Sequence, residues 1–158
     1  MISDIGFGAA VSIMAWFIYN FGFSAYFCFY FIPYLIVNYH LVLITYLQHT
    51  DVYMPHFAES EWDWLRGALC TVDRSFGPTL DYFFHHISDT HVAHHLFSSM
   101  PFYHAQEATE AIKKFIGAYH LSDETPIWTA LWRSFRNCKY IEDNEPIAFY
   151  KSEWKSSD

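Results

Sequence analysis

Ten histidines stand in a chain of 158 residues, and six of them (His85, His86, His91, His94, His95 and His104) fall within one stretch of twenty. His91, His94 and His95 are spaced i, i+3, i+4, which on a helix puts three imidazoles on one face. At this histidine frequency an HxxHH pattern arises by chance roughly 0.04 times in such a chain, so the pattern reads as a metal site. Neutral imidazole suits zinc, iron, copper and nickel alike, and the spacing alone does not choose the ion. Other chemistries lack their residues: there is no GxSxG elbow, no glycine-rich phosphate loop and no HExxH. The three cysteines, Cys28, Cys70 and Cys138, are odd in number and far apart, which excludes a disulfide framework and a CxxC site.

The elements that position these histidines follow from where charge is missing. Between Asp4 and Asp51 lie 46 residues without Asp, Glu, Lys or Arg. As one helix they would run about 69 Å, against a hydrocarbon core of about 30 Å. Two spans joined near Asn20-Phe21-Gly22 fit instead: Ile5 to Tyr19 and Phe23 to Leu47, with Pro33 as a tolerated kink. A re-entrant or tilted first helix is the alternative for the shorter span. No basic segment precedes the run, unlike a secretory signal. The whole chain is 53% hydrophobic and 22% aromatic, which excludes a wholly water-soluble protein, and the net charge of −8 sets nucleic acid aside.

All nine basic residues lie beyond position 65, which under the positive-inside rule makes that part cytoplasmic. The expected fold is mainly α: a membrane helical hairpin over residues 1–50, followed over 51–158 by a helical cytosolic cap with a short C-terminal β-hairpin. Tyr53, Phe57, Trp62 and Trp64 suggest a segment at the lipid interface. Within the cap, Ile87 to Phe97 reads as the histidine-bearing helix. Ala105 to about His120 reads as an amphipathic helix. Thr125-Pro126 reads as a cap with proline at the first helical position, opening a helix striped by Trp128, Leu131, Trp132 and Phe135. Tyr140-Ile141 and Ile147 to Tyr150 are expected to pair across Asp143-Asn144.

His49 stands at the end of the second span, where an ionisable group is a functional hypothesis by default. His40, nine residues earlier, is on the opposite helix face and about 13 Å away along the axis. Asn38 and Thr45 share the face of His49 and are candidates for supporting polar groups, the alternative being bonds to a neighbouring helix. Asp89 could accept the second ring N–H of a ligand, with His85 and His86 either nearby helpers or loop residues. His56, His104 and His120 read as ordinary cap residues.

Several ordered blocks resemble the membrane fatty acid desaturases, most closely the delta-12 (oleoyl) acyl-lipid type. They are Leu41 to Thr50, Glu61 to Ala68, Thr71-Val72-Asp73-Arg74, Asp89 to His95 with the residues that follow to Ile112, and Ile147 to Lys151. The resemblance covers essentially the whole chain and implies a cis double bond introduced into a lipid acyl chain, oleoyl to linoleoyl, with O2 and electrons from a b-type cytochrome. It also implies a centre of two irons at the cytosolic face of the endoplasmic reticulum membrane. His91, His94 and His95 match the family's third histidine box, and His49 matches the additional histidine after the last membrane helix; all four are then iron ligands. Family members are more than twice as long and carry two earlier boxes that have no counterpart here. The resemblance therefore implies that Met1 is an internal methionine, that the chain is a C-terminal piece inactive alone, and that an N-terminal part is its missing partner. A sister hydroxylase or omega-3 desaturase, and a non-catalytic membrane protein holding a single metal, are the alternatives.

Overall fold

Glycine makes the first turn of the chain. The computed structural model describes residues 2–142 and 145–153. Helix α1, Ile2–Phe21, ends where Gly22 adopts φ 84°, a conformation that side chains resist, and helix α2, Phe23–Tyr26, begins at once. A π-helical turn, Phe27–Phe31, then leads into α3, Ile32–His49. Pro33 explains the π turn: it has no N–H to donate and its ring crowds the carbonyl of Phe29, so the ladder loosens just before it. The helix thus runs on through the proline. Two stretches, Ile2–Phe21 and Phe23–His49, are long and apolar enough to cross a membrane.

Two compact units divide the chain, residues 1–43 and 44–158. In the first unit, α1 has no buried residue, and the Tyr26 hydroxyl donates to Met14 Sδ at 3.7 Å across the turn. Rings of Phe23, Phe27 and Phe31 stack in one row, and those of Tyr26, Tyr30 and Tyr34 in another. These rows follow the i, i+4 spacing of the sequence.

The second unit contains the last turns of α3, strand β1 (His56–Phe57), and helices α4 (Trp64–Leu69), α5 (Pro78–Phe83), α6 (His91–Leu96), α7 (Ala105–Ile116) and α8 (Ile127–Asn137), then strand β2 (Ile147–Ala148). Val92 and Ala93 of α6 pack against Ile112 of α7, flanked by Leu69, Leu96, Met100, Ala108 and Ile116. Ala93 is fully buried there. Ala93→Leu should therefore cost about 1–3 kcal/mol by overpacking, measured as a lowered unfolding midpoint in detergent.

Beside this apolar cluster lies a buried ionic one. Arg74, the largest fully buried side chain, donates from Nη2 to Asp51 Oδ2 at 2.7 Å, Asp123 Oδ2 at 2.8 Å and the Tyr53 hydroxyl at 3.0 Å, and from Nη1 to the Leu47 carbonyl. Arg133 of α8 meets the same two carboxylates, each at 2.5 Å. Two guanidiniums and two carboxylates balance, which is what allows them to be buried. Burial alone would raise the Asp123 pKa, but hydrogen bonds from Thr125, Arg133 and Arg74 outweigh it and hold the carboxyl below its usual range.

The histidine helix is shorter than the spacing predicts. Residues 84–90 form turns because His85 and His86 adopt φ 52° and 60°, and α6 begins only at His91. Helix α7 stops at Ile116, where Gly117 takes φ 55°, followed by a 3-10 turn to Tyr119. Pro126 is the residue before α8 rather than its first, with extended backbone at ψ 137°. The aromatic stripe of α8 faces out: Trp128, Trp132 and Phe135 are exposed, whereas Ala130 and Ser134 are buried by the approach to Thr50, whose carbonyl accepts from Ser134 Oγ at 2.8 Å.

The expected C-terminal β-hairpin is also corrected. Ile147–Ala148 pairs antiparallel with His56–Phe57, more than eighty residues upstream, because the extended segment after Pro55 offers its edge. Of the expected partner strand, only Tyr140 bridges to Lys151. The Asp143-Asn144 turn lies outside the described residues.

Candidate metal centre

His49, at the last position of α3, and His91 and His95, one turn apart on α6, bring ligand nitrogens within 4.8 Å of one another. Backbone carbonyls orient two of the three rings. His91 Nδ1 lies 3.0 Å from the Ile87 carbonyl and His49 Nδ1 lies 3.3 Å from the Cys70 carbonyl. A carbonyl only accepts, so each Nδ1 carries the proton and each Nε2 presents a lone pair.

Those two lone pairs face each other, Nε2 to Nε2, at 3.3 Å. Neither has a proton to donate, so the two nitrogens do not hydrogen-bond each other. Burial pushes the His91 pKa down to about 3, helped by His95 and His49, and burial likewise takes His95 down to about 4, helped by His49 and His94. A shared proton is thereby disfavoured, and both lone pairs are left in the form that can ligate a metal ion. Two nitrogens each about 2.05 Å from one ion are about 2.9 Å apart at a right angle and about 3.35 Å apart at the tetrahedral angle. The observed separation falls between them, and neutral imidazole is the ligand form.

His94 stands at the edge of this cluster. Its ring is exposed, 5.6 Å from that of His91 and 5.9 Å from that of His95 between centroids. His86 takes Asp89, with Nδ1 at 2.9 Å from Oδ2, so the tautomer-fixing role expected of Asp89 falls to the carbonyls of Ile87 and Cys70. His85 stacks on Phe102 at 4.3 Å. Asn38 Nδ2 donates to the Tyr34 carbonyl and His40 Nδ1 lies 2.8 Å from the Ile36 carbonyl, both within their own helix. His56 packs edge-on against Tyr150, and exposed His104 lies beside Glu107.

The segment between α4 and α5 contains residues that sequence reasoning passed over. Thr71 Oγ1 and the Val72 N–H both donate to the Gln48 carbonyl, at 3.0 and 3.1 Å, beside the Cys70 carbonyl that holds His49. Gln48 Nε2 donates to the Ser88 carbonyl at 2.9 Å, and the Arg74 N–H donates to the same oxygen. Asp73 Oδ1 accepts from the Val92 N–H at 2.8 Å, while Asp73 Oδ2 meets His120 Nε2 at 2.7 Å. Within this segment residues 71–74 carried a signal, as a block of the family resemblance, and it assigned them no role.

Three clustered imidazoles that could hold a metal ion, in a chain with two helices long and apolar enough to cross a membrane, define a class: a candidate metal-binding membrane protein with imidazole ligands. A sequence model of the family described as Fatty acid desaturase matches residues 3–125, and the chain belongs to that family. It is 53% identical over 151 residues to a Delta(12) fatty acid desaturase of Mortierella isabellina, covering 96% of this chain and 38% of that protein. It is 60% identical over 118 residues to an Omega-6 fatty acid desaturase, endoplasmic reticulum isozyme 1, of Glycine max, covering 75% of this chain and 30% of that protein. A Delta(12)-acyl-lipid-desaturase of Punica granatum is 53% identical over 144 residues. The chain thus spans less than two fifths of the length of these relatives. No solved structure matches it.

Proposed function

We propose that the chain supplies part of a di-iron centre that introduces a cis double bond at the delta-12 position of a lipid acyl chain, oleoyl to linoleoyl. The observation that carries this reading is the facing pair of His49 and His91 Nε2 atoms, each with its Nδ1 proton committed to a carbonyl and with His95 alongside. His49, His91 and His95 would hold one iron, and exposed His94 would serve as a ligand to the second. Iron, when bound, supplies the activation of O2 that an unactivated C–H bond requires. The chain's own part is to keep the imidazoles neutral, fix their tautomers and present their lone pairs.

Two irons with open positions need about twice the four imidazoles offered here, so the remaining ligands come from residues outside this sequence, in the manner of the family's two earlier boxes. Electrons come from a b-type cytochrome. Relatives named for the endoplasmic reticulum and the pair of apolar helices support a multi-pass protein of that membrane, and the basic residues beyond position 65 support a cytosolic second unit.

Expression in a yeast that makes oleate but no linoleate tests this reading. The 158 residues alone should yield no linoleate by gas chromatography of the lipids. Fusion behind the missing N-terminal part of the Mortierella isabellina relative should yield it. Linoleate from the chain alone overturns the shared-ligand reading, and a different product from the fusion overturns the delta-12 assignment.

A further inference from the structure

The segment Cys70 to Arg74 is hydrogen-bonded to both ligand-bearing helices. On the α3 side, the Cys70 carbonyl holds the His49 ring while Thr71 and Val72 grip the Gln48 carbonyl. On the α6 side Asp73 makes the connection: its Oδ1 accepts the N–H of Val92, one residue after His91. Helix α6 needs this acceptor. Its preceding residue, Thr90, turns its hydroxyl back to the His86 carbonyl and leaves the first-turn amides uncapped. Asp73 is the cap, delivered from another part of the chain.

His120 holds the other oxygen of that carboxylate. The pair is nearly dry, with both side chains 4% exposed, and the Asp73 N–H donates to the Leu121 carbonyl at 3.0 Å beside it. Asp73 therefore cannot swing away from Val92 without breaking a bond to His120 in a site that water scarcely enters.

We infer that Asp73, clamped by His120, is a positioning residue for the metal centre: it sets the register of α6 against α3 and hence the approach of His91 to His49. This rests on the metal reading proposed above. Neither residue touches the cluster of ligand nitrogens, and the effect passes through the Val92 amide. Loss of a supporting hydrogen bond behind a metal ligand weakens binding about 10–100-fold, and that is the scale expected here.

Cobalt(II), whose visible absorption reports ligand number, is titrated into the full chain in detergent, with thermal unfolding measured on the same samples. The unsubstituted chain should show histidine-bound cobalt bands. Asp73→Ala should bind at least tenfold more weakly with an altered spectrum. Asp73→Asn keeps an oxygen for the Val92 N–H and should stay within about threefold. His120→Ala releases the clamp without removing the acceptor and should weaken binding about three- to tenfold, and His120→Gln should restore it.

If Asp73→Ala does not fold, the His120 pair reads the same device. Affinity unchanged in His120→Ala, or in a folded Asp73→Ala, overturns the inference while leaving the metal reading intact. So does weakening that merely follows the unfolding midpoint across all four variants. Absence of cobalt bands in the unsubstituted chain overturns the metal reading and the inference with it.

Discussion

His91→Ala in the assembled enzyme is expected to abolish linoleate formation and to lower metal content, and His49→Ala and His95→Ala should do the same. Each removes a nitrogen from a cluster spanning only 4.8 Å, so the loss should exceed the about 10–100-fold that follows removal of a supporting hydrogen bond. His94→Ala should also abolish the reaction, as a ligand of the proposed second iron. The contrast is His40→Ala: that ring already bonds the carbonyl one turn back in its own helix, and much of the activity should remain. Metal analysis of the purified variants, alongside lipid chromatography, checks both halves. Equal loss at His40 contradicts the assignment of ligands.

Arg74→Met is expected to have the largest effect on stability. It leaves the fully buried Asp51 carboxylate and its neighbour Asp123 sharing one guanidinium, and it strips the Leu47 carbonyl of its donor. Breaking a buried ionic cluster from one side costs about 3–5 kcal/mol, because a desolvated charge is left behind. Unfolding of the second unit in detergent, followed by far-ultraviolet circular dichroism, measures it. The same network sets an acid limit. A carboxyl whose folded pKa is depressed, as Asp123 is, contributes stability that is fully present above its unfolded value of about 3.9. That contribution is lost as pH falls further, through the lower folded value.

Much of the site was legible because histidine spacing and helical period are local properties. His91 and His95, four apart, do meet on one face of α6, while His94, three from His91, falls to the exposed flank. The two apolar stretches were legible from missing charge, although α1 extends three residues before Ile5 and two beyond Tyr19. The supports of the ligands were not legible. Ile87 and Cys70 act through backbone carbonyls, which every residue possesses, and Asp73 meets His120 across 47 positions. Period alone also could not say what a face would meet. The stripe of Trp128, Trp132 and Phe135 is helical as expected, yet the small residues opposite it are the ones buried. The β-pairing failed for the same reason, since a hairpin rule considers only neighbours in sequence.

The ionic cluster also orders events in time. Asp51 emerges from the ribosome soon after His49, but Arg133 follows it by 82 residues. At about 5–20 residues per second, the chain waits roughly 2–8 seconds between delivering His95 and delivering Arg133. During that interval Asp51 and Arg74 are present but their second guanidinium is not, and His91 waits for His120 to steady Asp73 behind it. The histidines are made early, and the ionic cluster that follows His49 in the chain is complete only after α8 has docked.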